Sequence, residues 1–271
     1  MNRTNNVLFV AWQDQATRQI FPVGRLLRRP ATPETAAHTW EFVYLQGARD
    51  AEGFRPFQGL PELGEIYRGA ELPPFLRNRL MPKSRPDRAR FIERLGLDPD
   101  VSDEIPILAR SEGIKETDAI EVFGLPYYVA ATGSYHYSFF VRGIRYVAGA
   151  EDRILRLAVG EQLRLVGEPD NDSDPGAILV NATDGARLGW VPRTLVEDLN
   201  DLLRRRSSLS VTVNRVNPAS APVQLRLLCN LEAEGTEGFI PFSSARYQPI
   251  SAEAGLVDIQ AESRNSKVPV R

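Results

Sequence analysis

Residues 163–180 read Leu163-Arg164-Leu165-Val166-Gly167-Glu168-Pro169-Asp170-Asn171-Asp172-Ser173-Asp174-Pro175-Gly176-Ala177-Ile178-Leu179-Val180. Two short runs rich in β-branched and aliphatic residues flank a segment made of Gly, Glu, Pro, Asp, Asn and Ser. Side chains of that second kind bond their own backbone and favour turns, so the stretch predicts strand, long turn, strand. The pattern continues downstream. Ala177–Asn181 and Arg187–Trp190 flank the turn Thr183-Asp184-Gly185 as a second strand pair. Thr194–Arg206 then carries Leu195, Leu199, Leu202 and Leu203 at helical spacing, with Pro192 just ahead, which predicts an amphipathic helix with those leucines inward. Leu209–Val216 and Val223–Leu231 follow as two strands joined by Asn217–Pro222. Upstream, Ser138–Val147 is strand-like, and Leu155–Leu157 and Gln162–Val166 flank the turn Val159-Gly160-Glu161. Many short strands, tight turns and one helix define a small β-barrel or sandwich.

The N-terminal part is a different mixture. Val7–Trp12 and Arg18–Val23 read as strands, and Trp40–Leu45 alternates as a half-buried strand. Residues 53–81 combine Gly and Pro with interleaved aromatics and predict irregular, partly buried structure with short helical turns. From Arg77 to Arg94 the chain is at its most basic. Ser84 and Pro86 suit the start of a helix there and Gly96 its end. Pro99–Pro106 is acidic and proline-bounded, as a linker would be, and Ile107–Ser111 and Asp118–Phe123 read as strands. Beyond Glu232 periodicity fades, and the composition predicts a loose tail. The expected organisation is a small mixed α/β domain over 1–98, a linker or strand extension over 99–135, a β-barrel domain over 136–232 and a loosely ordered tail over 233–271. The fold class is α+β, mainly β.

The chain has 271 residues, of which 42% are apolar and 25% charged, an ordinary globular composition that excludes fibrous, coiled-coil and wholly disordered readings. No apolar run is long enough for a membrane span, and the first residues lack the features of a secretory signal, so the expected location is the cytoplasm. One cysteine, Cys229, rules out an intrachain disulfide; its apolar surroundings predict a buried thiol. With two histidines, His38 and His136, no zinc site of the usual ligand count can be assembled. Net charge is −2, but residues 1–98 carry 15 basic and 11 acidic groups while 99–140 carry 2 and 7. No segment is a strong polycation, so a nucleic-acid site must be a local arginine patch. No Walker loop, dinucleotide-binding fingerprint, nucleophile elbow or kinase catalytic loop is present. The expected protein is not an enzyme and needs no cofactor. The carboxylates Glu168, Asp170, Asp172 and Asp174 lack the glycine and terminal glutamate of a calcium loop and read as turn residues.

Three pieces recur in order: Gly143-Ile144-Arg145-Tyr146, then Glu168-Pro169 with Asn171, Asp174, Ala177 and Ile178, then Leu188-Gly189-Trp190-Val191-Pro192-Arg193. Together they resemble the HIRAN domain over about 138–231. The resemblance implies an OB-like β-barrel with short helices. It also implies binding of nucleic acid, with single-stranded DNA or DNA 3′ ends as ligand and DNA repair, remodelling or defence as setting. Carried over by motif, Tyr146 stacks on a base with Arg145 near the backbone. Asp174 accepts from the terminal 3′-hydroxyl with Asn171 close by, Arg193 meets a phosphate, and Trp190 sits beside the pocket. Val147, Ser173 and Trp190 stand where the end-binding form has tyrosine, an aromatic residue and histidine. Arg77, Arg79, Lys83 and Arg85 are candidate auxiliary backbone contacts. Zinc and ATP hydrolysis, which accompany some HIRAN-containing proteins, have no residues here. A helicase or nuclease is the protein partner this resemblance implies. In the N-terminal part, Gly24-Arg25-Leu26 and Phe42-Val43-Tyr44 are similar to the N-terminal subdomain of HipA-type kinases. That implies a second reading, a non-catalytic module that binds or inhibits a HipA-like kinase.

Overall fold

The computed structural model describes residues 6–31, 37–115, 118–171 and 174–254. Along the chain run β1 (Val7–Gln13), β2 (Ile20–Arg29), β3 (Thr39–Tyr44), α1 (Gly47–Asp50), β4 (Ile66–Gly69), α2 (Pro74–Arg77), α3 (Arg88–Arg94), α4 (Glu104–Ser111) and β5 (Ile120–Gly124). They continue with β6 (Tyr127–Val129), β7 (Ser134–Phe140), α5 (Ala150–Ile154), β8 (Gln162–Gly167), β9 (Ile178–Ala182), β10 (Arg187–Trp190), α6 (Arg193–Arg204), β11 (Ser208–Val216) and β12 (Leu227–Glu234). The protein is mainly β. It divides into two units: the described parts of Met1–Arg88, Ser102–Leu125 and Ile240–Arg271, and those of Ala89–Val101 and Pro126–Phe239. No described helix is long and apolar enough to cross a membrane.

The first unit is an antiparallel sheet in the order β4-β3-β2-β1-β5. Period-two alternation sends Leu8 and Val10 of β1, Leu26 of β2, and Trp40, Phe42 and Tyr44 of β3 into one core with Phe57, Leu76 and Leu108. The opposite face is not solvated, contrary to the half-buried reading of β3. Its Glu41 is 4% exposed, bonded to Arg29 at 3.0 Å and Arg68 at 3.1 Å, and it opposes the desolvation of buried Arg25. Burial still pulls that guanidinium down to about 10. A carboxylate among arginines thus replaces water on the polar side of the alternation.

Three stretches depart from the expected layout. Ile107–Ser111 is the end of helix α4, not a strand. Asp103 caps that helix by accepting from Ile105 N at 3.1 Å, and Pro106 sits in its first turn, where its missing N–H costs nothing. β5, expected as part of a linker extension, joins the first sheet beside β1. Residues 240–254, expected to be loose, return to this unit as a strap. Leu45 bridges to Pro249, and Ile250 N donates to Tyr44 O at 2.9 Å. Phe242 and Tyr247 bury themselves against Phe9, each with ring centroids 5.3–5.4 Å away.

In the second unit the sheet runs β10-β9-β8-β11-β12-β7-β6. Its core is built from Phe139, Phe140, Ile178, Val180, Leu188, Val211 and Cys229, all buried. Val141 N still donates to Leu227 O of β12 at 3.0 Å, and the next residue pairs with β10: Arg142 N donates to Trp190 O and Trp190 N to Arg142 O, both at 2.8 Å. That bridge closes β7, β12, β11, β8, β9 and β10 into a barrel and leaves β6 outside. Gly189 makes the closure possible, with φ +145° and no room for a Cβ against Arg142 O. α6 packs Leu195, Val196, Leu199 and Leu202 inward; Leu203, expected inward, is exposed. On the helix wheel Leu203 shares the direction of Val196 and Leu199, but it lies in the last turn, next to the final residue Arg204. α3 ends as expected at Gly96, whose φ of +70° lets Leu97 N reach Ile92 O.

Candidate nucleic-acid interface

The strand expected over Ser138–Val147 stops at Phe140. Gly143, with φ +69°, turns the chain into the single 3-10 turn Ile144–Tyr146. Ile144 points into the core, which forces Arg145 and Tyr146 outward. Tyr146 is 70% exposed. The Arg145 guanidinium lies 4.8 Å from its ring centroid and donates to its hydroxyl at 2.7 Å. A cation on one face of a ring leaves the other face for a second planar group.

Tyr146 and Trp190 line one groove of about 450 Å³ together with Val147, Ala148, Gly149, Arg153, Ala186 and Arg187. Trp190 is half-buried and fixed at two points. Its ring lies on Gly143, where a Cβ would stand 2.5 Å from the indole. Its Nε1 donates to Glu168 Oε2 at 2.8 Å. Of the lining arginines, Arg153 is bonded to Asp184 at 2.9 Å, and Arg187 reaches Glu168 at 3.4 Å.

Asn171, Asp174 and Arg193 form a neighbouring cluster at the mouth of the β8–β9 turn. Asn171 Oδ1 accepts from Asp174 N at 3.0 Å, and Asp174 Oδ1 accepts from Gly176 N at 2.9 Å. Both are turn bonds of the kind expected of such residues. Arg193, the first residue of α6, approaches Asp174 Oδ2 at 3.8 Å. The structure therefore brings the six expected residues together as two groups: Arg145, Tyr146 and Trp190 on one side, Asn171, Asp174 and Arg193 on the other. Glu168, a turn residue by sequence, touches both, because its Oε2 also accepts from Asn171 Nδ2 at 2.6 Å. The bonds from Asn171 and Trp190, in that order, hold its carboxyl below the usual carboxylate range, with Arg187 adding to them. Its partner Trp190 lies 22 residues away, beyond the reach of local pattern. Asp172 and Ser173 lie outside the described residues. Among those described, no group of three or more His, Cys, Asp and Glu is placed to hold a metal ion.

The auxiliary arginines belong to the first unit. Arg79, expected as a backbone contact, is not one: its side chain is 3% exposed and locked by Gly113 O at 2.5 Å and Asp118 at 2.6 Å, so it cannot meet a ligand. Its spacing on the chain is that of a surface charge, and only the fold turns it inward. Arg77 is ion-paired with Glu71 and Arg85 with Asp87 on the surface, and Lys83 is exposed.

A closed antiparallel barrel carrying an exposed aromatic and an arginine-lined groove belongs to the OB-like class of binding domains. Residues 134–234 match the family model described as HIRAN domain, so the chain carries a HIRAN domain, a nucleic-acid-binding module, over this part of its length. Two solved structures are similar. One is a Lactobacillus plantarum protein from a structural-genomics programme, 24% identical, covering 37% of this chain and 97% of that one with a TM-score of 0.32. The other is the HIRAN domain of human HLTF, 21% identical, covering 37% and 77% with a TM-score of 0.29. No curated protein matches the chain.

Proposed function

We propose that the barrel binds single-stranded DNA and favours a free 3′ end. The observation that carries this reading is Tyr146, a large aromatic held in solvent at the edge of a groove with Arg145 against its ring. Tyr146 stacks on a base, a contact of about 1–3 kcal/mol. Arg145 and Arg193 meet phosphates through their planar forks. Asp174 accepts from a terminal hydroxyl through Oδ2, since the 3.8 Å approach of Arg193 is looser than a hydrogen bond. A terminal phosphate at the same place meets carboxylate repulsion. Trp190 forms a wall of the groove.

The test is fluorescence anisotropy with short single strands ending in 3′-hydroxyl, 3′-phosphate or a blocked 3′ carbon, over a salt series. Affinity is expected to fall with salt and to be highest for the free hydroxyl. The double reversal R145E/R193E is expected to weaken binding at least about tenfold and to flatten the salt dependence. Unchanged affinity in that variant overturns the site. Absence of binding by the native chain at low salt overturns the nucleic-acid reading and returns the problem to a protein partner.

A further inference from the structure

The groove and the Asn171–Asp174 pair are separate in sequence, yet one side chain is bonded to the Trp190 of the first and the Asn171 of the second. Glu168 leaves β8 at its end, and its carboxylate is 19% exposed. Oε2 accepts two hydrogen bonds from opposite sides, Trp190 Nε1 at 2.8 Å and Asn171 Nδ2 at 2.6 Å. Asn171 in turn holds the backbone of Asp174 through its Oδ1 at 3.0 Å. An indole can rotate about two bonds in a groove this open. Its N–H bond to a shielded anion and its contact with Gly143 remove that freedom. Charge-assisted bonds of this length are among the stronger ones available to a half-buried site.

We propose that Glu168 is the positioning residue of this site: one carboxylate sets both the Trp190 wall of the groove and the turn that presents Asp174, so that base stacking and end reading are coupled. The part concerning DNA rests on the reading given above; the positioning itself does not. Glu168 touches no ligand in this scheme. It acts through Trp190 and Asn171, in the way that a supporting shell holds a binding constellation to its working geometry.

Three variants of the full chain separate the possibilities: E168L keeps the volume and removes the acceptor, E168Q keeps one acceptor oxygen, and W190F assigns the signal. Amide-labelled protein gives indole N–H resonances from Trp12, Trp40 and Trp190, and W190F identifies the last. In the absence of DNA, E168L is expected to shift the Trp190 resonance upfield and speed its hydrogen exchange, leaving Trp12 and Trp40 in place. E168Q is expected to restore both. With DNA, E168L is expected to lose about tenfold in affinity and to bind 3′-hydroxyl and 3′-phosphate strands alike, with E168Q within about threefold of the native chain. A Trp190 resonance that does not move in E168L overturns the proposal. So does an E168L variant that keeps the native end preference. If the native chain binds no strand, the DNA reading fails, and the indole shift still decides whether Glu168 positions the groove.

Discussion

The two units use the same side chains to opposite ends. In the first, aromatics face one another: Phe57 stacks on Phe75 at 4.0 Å and on Tyr44 at 5.9 Å, and the Tyr44 hydroxyl is satisfied internally by Leu60 O and Phe57 N. Its arginines are drawn into ion pairs, Arg28 with Asp103, Arg29 and Arg68 with Glu41, and Arg79 with Asp118. In the second unit an arginine and a tyrosine stand side by side in solvent. Composition alone cannot tell these uses apart. What differs is the backbone behind them: paired strands with both faces largely covered in one case, and a glycine-started 3-10 turn that throws two side chains outward in the other. Function is expected where the fold leaves such groups unspent.

Gly189→Ala gives the sharpest break. A Cβ there collides with Arg142 O at the bridge that closes the barrel, and the backbone sits at φ +145°. Strain and overpacking together are expected to cost about 3–4 kcal/mol. The effect should be confined to the second unit, and Cys229 reports it. That thiol is fully buried, and burial pushes it well above its ordinary value, so a thiol reagent reaches it only when the barrel opens. Rapid labelling of the native chain would show that the barrel is not closed.

Next in size is an exchange of signatures between the units. Arg79→Ala removes a shielded guanidinium and is expected to cost about 2–3 kcal/mol in denaturant unfolding, with DNA affinity unchanged. Tyr146→Ala is expected to do the reverse, weakening DNA by about 1–3 kcal/mol while moving stability by less than about 0.5 kcal/mol. If Arg79→Ala weakened DNA binding without loss of stability, the contrast between the units would collapse.

The smallest effect concerns acid. Glu168 has its carboxyl held below the ordinary value in the folded chain, so the unfolded chain binds its proton first as pH falls. The stability it contributes is therefore complete at neutral pH and lost as pH drops below the ordinary carboxylate range. The stability gap between the native chain and E168Q, followed by urea unfolding, should narrow over that acidic interval and stay flat from pH 6 to 8, an interval about two units above the ordinary carboxylate value. A gap that widened on acidification would have the sign wrong.

Much of the barrel was legible because its signals are local. The strand–turn–strand pattern around 163–180, the Asp184-Gly185 turn and the helix after Pro192 need only their own neighbours, and β8, β9, β10 and α6 fall close to where the pattern puts them. Three features were not legible. Helix α4 was masked by Pro106, which reads as a breaker unless the Asp103 cap places it in the first turn. The strap carries Phe242 and Tyr247 at no strand or helix period, since it follows a surface already folded instead of building a strand of its own. The role of Glu168 depends on a bond to Trp190 that exists only after the barrel has closed. The six candidate residues were named by motif; that they fall into two groups joined by a carboxylate is a fact of geometry.

The strap also fixes an order of events during synthesis. Residues 126–239 emerge as one uninterrupted stretch, so the barrel has all its strands once Phe239 has left the ribosome. The first unit begins much earlier, yet it lacks Phe242 and Tyr247 until the following segment appears. The portion translated first is thus the portion completed last, and its Phe9–Phe123 face waits, unsealed, through the making of the barrel strands.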